Sequence, residues 1–263
     1  MKSAGEAVIE LRDLKMRFGE KEVLRGIDLD VFKGQIIGYI GPNGAGKSTT
    51  VKLMLGLLEG FEGEIRILGS DVKNGSIDYK RRIGYVPETA EVFDSLTGQE
   101  YLTFIGEMYG IDYVIADKKA KKLMALFGIE DAYTSRISSY SKGMRQKLLI
   151  ISSLLHDPDI LFFDEPMSGL DANSVMIFKE IMSSLAAQGK TIFYSSHIMD
   201  VVEKISSRII LINEGRIIAD GTFEELKQKS SEGSLERIFN QLTGFNRYKE
   251  IADEFISVIE GVQ

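Results

Sequence analysis

The chain has 263 residues, of which 44% are hydrophobic, so it can bury a large core and is too apolar to be disordered. Its formal net charge of -7 disfavours nucleic-acid binding, because phosphate neutralisation needs a basic surface. The sequence contains no cysteine, which excludes disulfides, thiolate metal sites and a cysteine nucleophile. No nucleic-acid partner is therefore expected, and the composition fits a reducing compartment.

We expect neither a secretory signal at residues 1–11 nor a membrane-spanning helix in the apolar runs. Residues 1–11 include Glu6 and Glu10 and lack the continuous apolar stretch of a secretory signal. The strongest apolar runs, such as 148–155, are far shorter than the ~20 residues that a spanning helix needs. The expected location is the cytoplasm, and any membrane role would pass through a partner.

The first third of the chain predicts strands followed by a glycine-rich loop. Residues 8–14 and 23–31 alternate apolar and polar side chains, which indicates an antiparallel opening hairpin that turns at Phe18-Gly19. The mainly apolar segment 35–40 leads into the glycine-rich loop, and a helical pattern covers 48–58. The order is strand, glycine loop, helix.

Later segments indicate an α/β fold with a mixed, mainly parallel sheet. Short apolar runs at 160–163, 191–194 and 209–212 are typical of buried parallel strands, and helical stretches separate them. Between 97 and 156 the pattern is helical and begins with a capping box formed by Thr97 and Glu100. We therefore expect a helical subdomain.

Three smaller features of predicted helices complete the pattern. His156, before Asp157-Pro158, is expected to be a solvated helix-end residue that favours the helix dipole. Thr222 and Glu225 form a second capping box, which begins a short helix. The last helix carries an apolar stripe, which we expect to pack on the chain's own domain. The stripe consists of Tyr248, Ile251, Ala252, Phe255 and Ile259.

The glycine-rich loop matches the phosphate-binding pattern G-x-x-x-x-G-K-[S/T], and it lies between a strand and a helix, where the motif functions. Its backbone N–H groups would converge on a phosphate at the positive helix N-terminus. Lys47 would add a charge for the β- and γ-phosphates, and Ser48 a magnesium ligand. A ligand-free glycine turn is the weaker reading. The predicted nucleotide contacts here are Gly41, Pro42, Asn43, Gly44, Ala45, Gly46, Lys47, Ser48 and Thr49.

Two carboxylates follow the apolar run 160–163. Asp164 and Glu165 therefore lie at the carboxyl end of a predicted strand, beside the phosphate loop. Asp164 would hold magnesium through water, and Glu165 would orient and deprotonate the attacking water. A role as a mere helix cap is the alternative, which the neighbouring phosphate loop disfavours.

With these motifs, the chain resembles the nucleotide-binding subunit of ATP-binding cassette (ABC) transporters over residues 6–243. The segment 140–144 stands at the family's signature, where Ser141 and Gly143 would contact ATP. Residues 168–171 resemble its D-loop, His197 its catalytic switch histidine, and Phe18 the aromatic residue that stacks on adenine. Phe18 could equally be a packing residue of the hairpin turn.

The resemblance implies a P-loop NTPase that has an N-terminal antiparallel β subdomain, a helical signature subdomain at about 89–157 and a C-terminal helical tail at 244–263. It also implies ATP and Mg²⁺ as cofactors. Each ATP would lie between the phosphate loop of one chain and the signature of a second ATPase chain. The dimer would drive an integral membrane permease from the inner face of the membrane.

Two motifs, the loop at Glu88 and the signature, depart from the commoner family pattern. Glu88 stands where glutamine is usual, near the expected magnesium, and Lys142 and Met144 alter the signature. Both changes resemble the exporter branch that has a separately encoded permease. Alternatives are an ABC ATPase that acts on DNA or ribosomes, or a regulatory module that binds ATP without hydrolysis. The absence of a long coiled coil between 49 and 141 and the retention of Glu165 and His197 favour the transporter.

Overall fold

The computed structural model describes residues 5–196, 198–230, 232–244 and 248–259. Within those residues, no helix is both long and apolar enough to cross a bilayer.

The predicted hairpin is confirmed and belongs to a four-stranded antiparallel sheet. Strand β1 (Ala7–Phe18) pairs with β2 (Lys21–Phe32) on one side and with β4 (Glu62–Ile67) on the other. A two-residue strand, β5 (Ser70–Asp71), completes the order β2-β1-β4-β5. The apolar residues of the alternating pattern face the core; Leu11 and Leu29, for example, are buried.

The second sheet has six strands in the order β10-β9-β3-β8-β7-β6. Pairing is parallel from β9 through to β6, whereas β10 is antiparallel to β9, so the sheet is mixed and mainly parallel as predicted. The middle strands β3, β8 and β7 are buried along their whole length because both faces of the sheet are covered. The strands are β3 (Ile36–Ile40), β6 (Ile83–Val86), β7 (Ile160–Asp164), β8 (Thr191–Ser195), β9 (Arg208–Asn213) and β10 (Arg216–Gly221).

Strand β3 divides the interior into two apolar cores. Its residues Ile37 and Tyr39 join the core shared with the antiparallel sheet and with helix α1 (Lys47–Met54). Ile36 and Ile40 join the core shared with the helical subdomain. Because successive strand residues point to opposite faces, β3 contributes to both cores, as its neighbours in the sheet also do.

The helical subdomain contains α2 (Gly98–Met108), α3 (Tyr113–Leu126) and α4 (Lys142–Leu154). The capping box predicted at Thr97 and Glu100 is present, with both of its reciprocal hydrogen bonds. Helix α2 packs on α3, and both contact α4, which also lies against β6. The signature helix α4 therefore connects the subdomain to the main sheet.

Among the described residues, five further helices follow β7. The capping box at Thr222 and Glu225 is also present, where the Thr222 N–H donates to Glu225 Oε2 at 2.8 Å. The helices are α5 (Ala172–Ala187), α6 (Met199–Ile205), α7 (Phe223–Ser230), α8 (Leu235–Thr243) and α9 (Tyr248–Ile259). Of these, α8 is anchored to the domain through the buried side chains of Leu235 and Ile238.

Three expectations need correction. Helix α1 ends at Met54 rather than near residue 58, because Gly56 adopts a left-handed conformation (φ 61°) and the Leu57 N–H turns back to the Lys52 carbonyl. The stripe on α9 is not packed on the domain: the exposed fractions of Ile251 and Phe255 are 50% and 65%. The side chain of Tyr248 lies outside the described part of the chain.

His156 is not a solvated helix-end residue. Its ring stacks on Tyr109 at a centroid distance of 3.6 Å, and its Nε2 donates to the Ile83 carbonyl at 2.9 Å. Burial lowers the pKa of His156 below its ordinary value. The helix-dipole interpretation was therefore wrong, and His156 connects the end of α2 to strand β6.

Candidate nucleotide site

The phosphate loop runs from the end of β3 into α1 with backbone angles that only glycine adopts readily. Gly44 and Gly46 have φ angles of 79° and 107°. Gly46 is the N-cap residue of α1, and no side chain of the described residues caps that end. The first N–H groups of α1 are therefore left for an anionic ligand.

Neighbouring strands fix the shape of this loop. A Cβ atom on Gly41 would lie 2.3 Å from the Ile212 carbonyl oxygen, and one on Gly46 would lie 2.5 Å from Leu24 Cδ2. The Ala45 carbonyl accepts a hydrogen bond from the Gly215 N–H at 3.1 Å. Strands β2 and β9 thus lie in direct contact with the loop, so its backbone conformation is held without a ligand.

The side chain of Lys47 folds back over the phosphate loop. Its Nζ donates to the carbonyl oxygens of Gly41 at 2.6 Å and Pro42 at 3.2 Å. Burial lowers the pKa of Lys47, and the negative charges of Glu165, Asp164 and Glu88 oppose that shift. The structure therefore brings the loop lysine and the three predicted carboxylates into one electrostatic neighbourhood.

The first turn of α1 contains Ser48 and Thr49, both half-buried. It is anchored by a contact that the sequence analysis missed: the buried Thr50 hydroxyl donates to the Gly46 carbonyl at 2.9 Å and lies 3.2 Å from the Tyr39 hydroxyl. No local motif indicates this pair, since Tyr39 reads only as a strand residue. The anchor fixes α1 relative to β3.

Asp164 and Glu165 follow β7 as predicted, but their surroundings differ. Asp164 is buried and accepts a hydrogen bond from the Ser195 hydroxyl. Glu165 is half-buried and has a positive φ of 49°, which is sparsely populated for a residue with a side chain. Its N–H donates to the Ser195 carbonyl at 3.1 Å, and the Ser196 hydroxyl donates to Oε2 at 3.1 Å.

Glu88 lies just beyond β6 and is exposed. Its charge reaches the site nonetheless, because it contributes to the pKa of both Lys47 and Tyr85. Burial, assisted by the charges of Asp164 and Glu88, raises the pKa of Tyr85 to about 12. Tyr85 thus shares the electrostatic neighbourhood of Asp164 and Glu88, and no sequence motif marked it.

The signature lies against the D-loop of the same chain. Ser141 is the N-cap residue of α4, and its hydroxyl accepts from the Met144 N–H at 3.2 Å. A Cβ atom on Gly143 would lie 2.7 Å from the Gly169 carbonyl oxygen. One turn later, Gln146 Nε2 donates to the Pro166 carbonyl at 2.9 Å. Ser141 and Gly143 are therefore placed beside 168–171.

The D-loop itself is tied to both neighbouring helices. Asp171 caps α5 by accepting from the Ser174 N–H at 2.9 Å, and Lys147 Nζ lies 3.1 Å from Asp171 Oδ2. Ser174, together with Lys147, holds the pKa of Asp171 well below its ordinary value. The loop from Glu165 to Asp171 thus connects the end of β7 with α4.

Two predicted residues remain, Phe18 and His197. Phe18 ends β1 at the hairpin turn and is 47% exposed, so its ring is open to contact from solvent. His197 lies outside the described residues.

The predicted magnesium ligands fit a hard cation. Ser48, Asp164 and Glu88 offer only oxygen atoms, which Mg²⁺ prefers. The described residues contain no group of three or more His, Cys, Asp or Glu side chains that could hold a metal ion. Mg²⁺ at nucleotide sites usually takes one or two protein ligands and completes its shell with water and phosphates, so a sparse set fits.

The fold and the site define a P-loop nucleotide-binding protein. The sequence matches the ABC transporter family over residues 24–168, and the chain belongs to that family of ATPases as an ATP-binding subunit.

Relatives agree with this assignment. The chain is 37% identical over 238 residues to the ABC transporter ATP-binding protein NatA of Bacillus subtilis, covering 88% of this chain and 96% of NatA. It is 38% identical to the daunorubicin/doxorubicin resistance ATP-binding protein DrrA of Streptomyces peucetius, covering 86% of this chain and 68% of DrrA. A solved ATP-binding subunit of an ABC transporter superposes with a TM-score of 0.84 at 32% identity, over 90% of this chain and 99% of that one.

Proposed function

We propose that this chain is the ATP-hydrolysing subunit of an exporter, that it works as a head-to-tail dimer, and that it drives a separate membrane permease. The observation that carries the proposal is the preformed phosphate loop, whose Lys47 shares one electrostatic neighbourhood with Asp164 and Glu165. An anion-binding helix end beside two carboxylates is suited to hydrolysis of a magnesium-bound nucleoside triphosphate.

Each residue has a proposed role in the reaction. The loop N–H groups and Lys47 bind the β- and γ-phosphates, Ser48 and Thr49 contact the nucleotide from the first turn of α1, and Phe18 stacks on adenine. Ser48, Glu88 and, through water, Asp164 would hold Mg²⁺, which would neutralise phosphate charge. The oxygen of a water molecule attacks the γ-phosphorus, and Glu165 accepts the proton that this water loses. The bond to ADP breaks, and phosphate leaves.

The two signature contacts, Ser141 and Gly143, come from a second chain. Ser141 and Gly143 lie at the N-terminus of α4, which is suited to the γ-phosphate of an ATP that another chain holds. His197 completes the site as the switch residue. ATP thus stabilises the closed dimer, and hydrolysis releases it, which shifts the permease between its states.

The proposal includes a location for the chain and a direction of transport. The chain acts at the cytoplasmic face of the membrane, where the permease holds it. The resistance named for DrrA supports export as the direction. Residues 6–243 form the ATPase domain and 244–263 a tail, with the helical subdomain at about 89–157.

The test uses Glu165→Gln and the exposed control Glu59→Gln, both purified as full chains. Glu165→Gln should lower ATP turnover by about 100-fold or more, because general-base catalysis contributes about 10²–10⁴-fold, while the variant still binds ATP. On size-exclusion chromatography it should form a dimer only when ATP and Mg²⁺ are present. A Glu165→Gln chain that stays monomeric at ATP concentrations far above its Kd contradicts the dimer. Copurification of a hydrophobic permease from membranes tests the transport role.

A further inference from the structure

Two adjacent buried serines, the last residue of β8 and the residue after it, each contact a different carboxylate of the site. Ser195 lies opposite Asp164 in the parallel register of β7 and β8, and its hydroxyl donates to Asp164 Oδ1. The next residue, Ser196, donates to Glu165 Oε2 at 3.1 Å. Both serines are at most 1% exposed. The strand therefore presents one hydroxyl to each of the two neighbouring acids.

The bonding of Ser196 fixes the direction of its only hydroxyl proton. Its Oγ accepts a hydrogen bond from the Ile198 N–H at 3.1 Å. The Tyr194 hydroxyl also contacts Ser196, but it can donate as well as accept, whereas an ionised carboxylate can only accept, so the Ser196 hydroxyl proton points to Glu165. Because Ser196 is 1% exposed, bulk water does not compete for it. The serine is thus a directed donor and not a freely rotating one.

The backbone of Glu165 is in a sparsely populated conformation, so contacts from neighbouring residues are needed to hold it. Its positive φ of 49° is sparsely populated, and the hydrogen bond from its N–H to the Ser195 carbonyl helps to hold it there. The backbone sets where the side chain starts, whereas the Oε2 contact sets where the carboxylate ends. Strand β8 therefore supplies a restraint on both.

We propose that Ser196 is a positioning residue for ATP hydrolysis: its hydroxyl holds the Glu165 carboxylate in the orientation needed to take a proton from the attacking water. The proposal rests on the role of Glu165 in the proposed function. Ser196 acts through Glu165 and is not itself a catalytic residue. A base must lie within hydrogen-bond reach of its proton, and a misplacement of about 1 Å costs about 100-fold in rate.

The experiment compares Ser196→Ala with Ser153→Ala in the full chain. Ser153 is a matched control, since it is also buried and donates a single hydrogen bond, to the Ile150 carbonyl at 2.8 Å, within α4. Ser196→Ala should lower kcat by about 10- to 100-fold and leave KM and ATP affinity within about twofold, because the phosphate loop is untouched. Ser153→Ala should leave kcat unchanged. Ser196→Thr, which keeps the hydroxyl, should restore most of the rate.

A double-mutant cycle separates positioning from a general loss of structure. In Glu165→Asp the carboxylate is shorter by one methylene and cannot keep the Ser196 contact, so adding Ser196→Ala should cost little further kcat. An equal loss in both backgrounds, an unchanged kcat in Ser196→Ala, or a parallel fall in ATP affinity and melting temperature would each overturn the proposal. If Ser196→Ala does not fold, Ser196→Cys tests the same point with a weaker donor.

The role of Glu165 is judged separately from that of Ser196. Full turnover in Glu165→Gln would remove the proposed base whatever Ser196 does. Loss of turnover in Glu165→Gln together with an unaffected Ser196→Ala would leave the base in place and exclude only the positioning role.

Discussion

The N-termini of α1 and α4 are both suited to bind phosphate, but they differ in their capping. Helix α1 begins after Gly46, which has no side chain and leaves the first turn uncapped among the described residues. Helix α4 begins after Ser141, whose hydroxyl accepts from the Met144 N–H at 3.2 Å. One end is open and the other is closed by its own serine.

The difference indicates how each end meets its ligand. The open end of α1 lies beside Lys47 of the same chain, so a single chain contains what it needs to bind a phosphate there. The capped end of α4 is stable without a ligand and lies against the D-loop. In the proposed dimer, the ATP at that end would be held by another chain.

The largest expected difference between the two helix ends appears when the lysine at each end is replaced. Lys47→Ala should weaken ATP binding by the isolated chain about 10- to 100-fold, because hydrogen bonds to charged groups contribute about 1.5–3 kcal/mol. Lys142→Ala, at the start of α4, should leave that affinity unchanged. Isothermal titration at a concentration where the chain is monomeric measures both. Equal losses in the two variants would mean that a single chain uses both helix ends.

Removing the serine cap sharpens the comparison with a smaller effect. Ser141→Ala should lower the free energy of unfolding by about 1 kcal/mol, as N-cap removal commonly does. Thr97→Ala at α2 is the matched control and should cost a similar amount. Only Ser141→Ala should also weaken ATP-driven dimerisation of the Glu165→Gln chain. Urea unfolding and size-exclusion chromatography separate the two effects.

The open end of α1 could be predicted from sequence because its chemistry is local. Eight consecutive residues specify the loop, and an apolar strand followed by two carboxylates specifies Asp164 and Glu165. The contact from Ser196 to Glu165 joins residues 31 positions apart, and it depends on β8 lying beside β7. Two serines at the end of a buried strand were the available signal, but strand order cannot be read from apolar runs.

His156 shows the same limit where the helical half meets the main sheet. A histidine before Asp157-Pro158 gives a helix end, whereas its stack on Tyr109 requires the packed subdomain. For α9, apolar spacing showed that one face is hydrophobic but not what covers it. Periodicity defines a surface, and only tertiary packing defines its partner.

His156 also provides a pH test of the connection between the two halves. Burial lowers its pKa, Lys119 and Lys190 lower it further, and the Ile83 carbonyl and Asp157 oppose the shift. The folded state thus binds fewer protons than the unfolded state below the ordinary value of 6.5, so stability falls as pH drops through that value. His156→Gln, which can still donate to Ile83, should show a shallower loss between about pH 7.5 and 5.5 in urea unfolding. Identical pH slopes would contradict this.

The smallest expected effect concerns α9, which belongs to neither half. Truncation after Gly244 should leave the melting temperature of the isolated chain within about 1 °C, because Ile251, Phe255 and Ile259 are 50%, 65% and 66% exposed and contribute little burial. If these three side chains packed on the domain in solution, each would contribute about 1.5–3 kcal/mol. At about 2–4 °C for each kcal/mol, the truncated chain would then melt about 10 °C lower or more. Scanning calorimetry of both chains distinguishes the two cases, and Phe255→Ser in the full-length chain is the matched control, since it removes the largest apolar side chain without shortening the helix. An unchanged melting temperature together with weaker dimerisation or permease association would assign the apolar face of α9 to a partner.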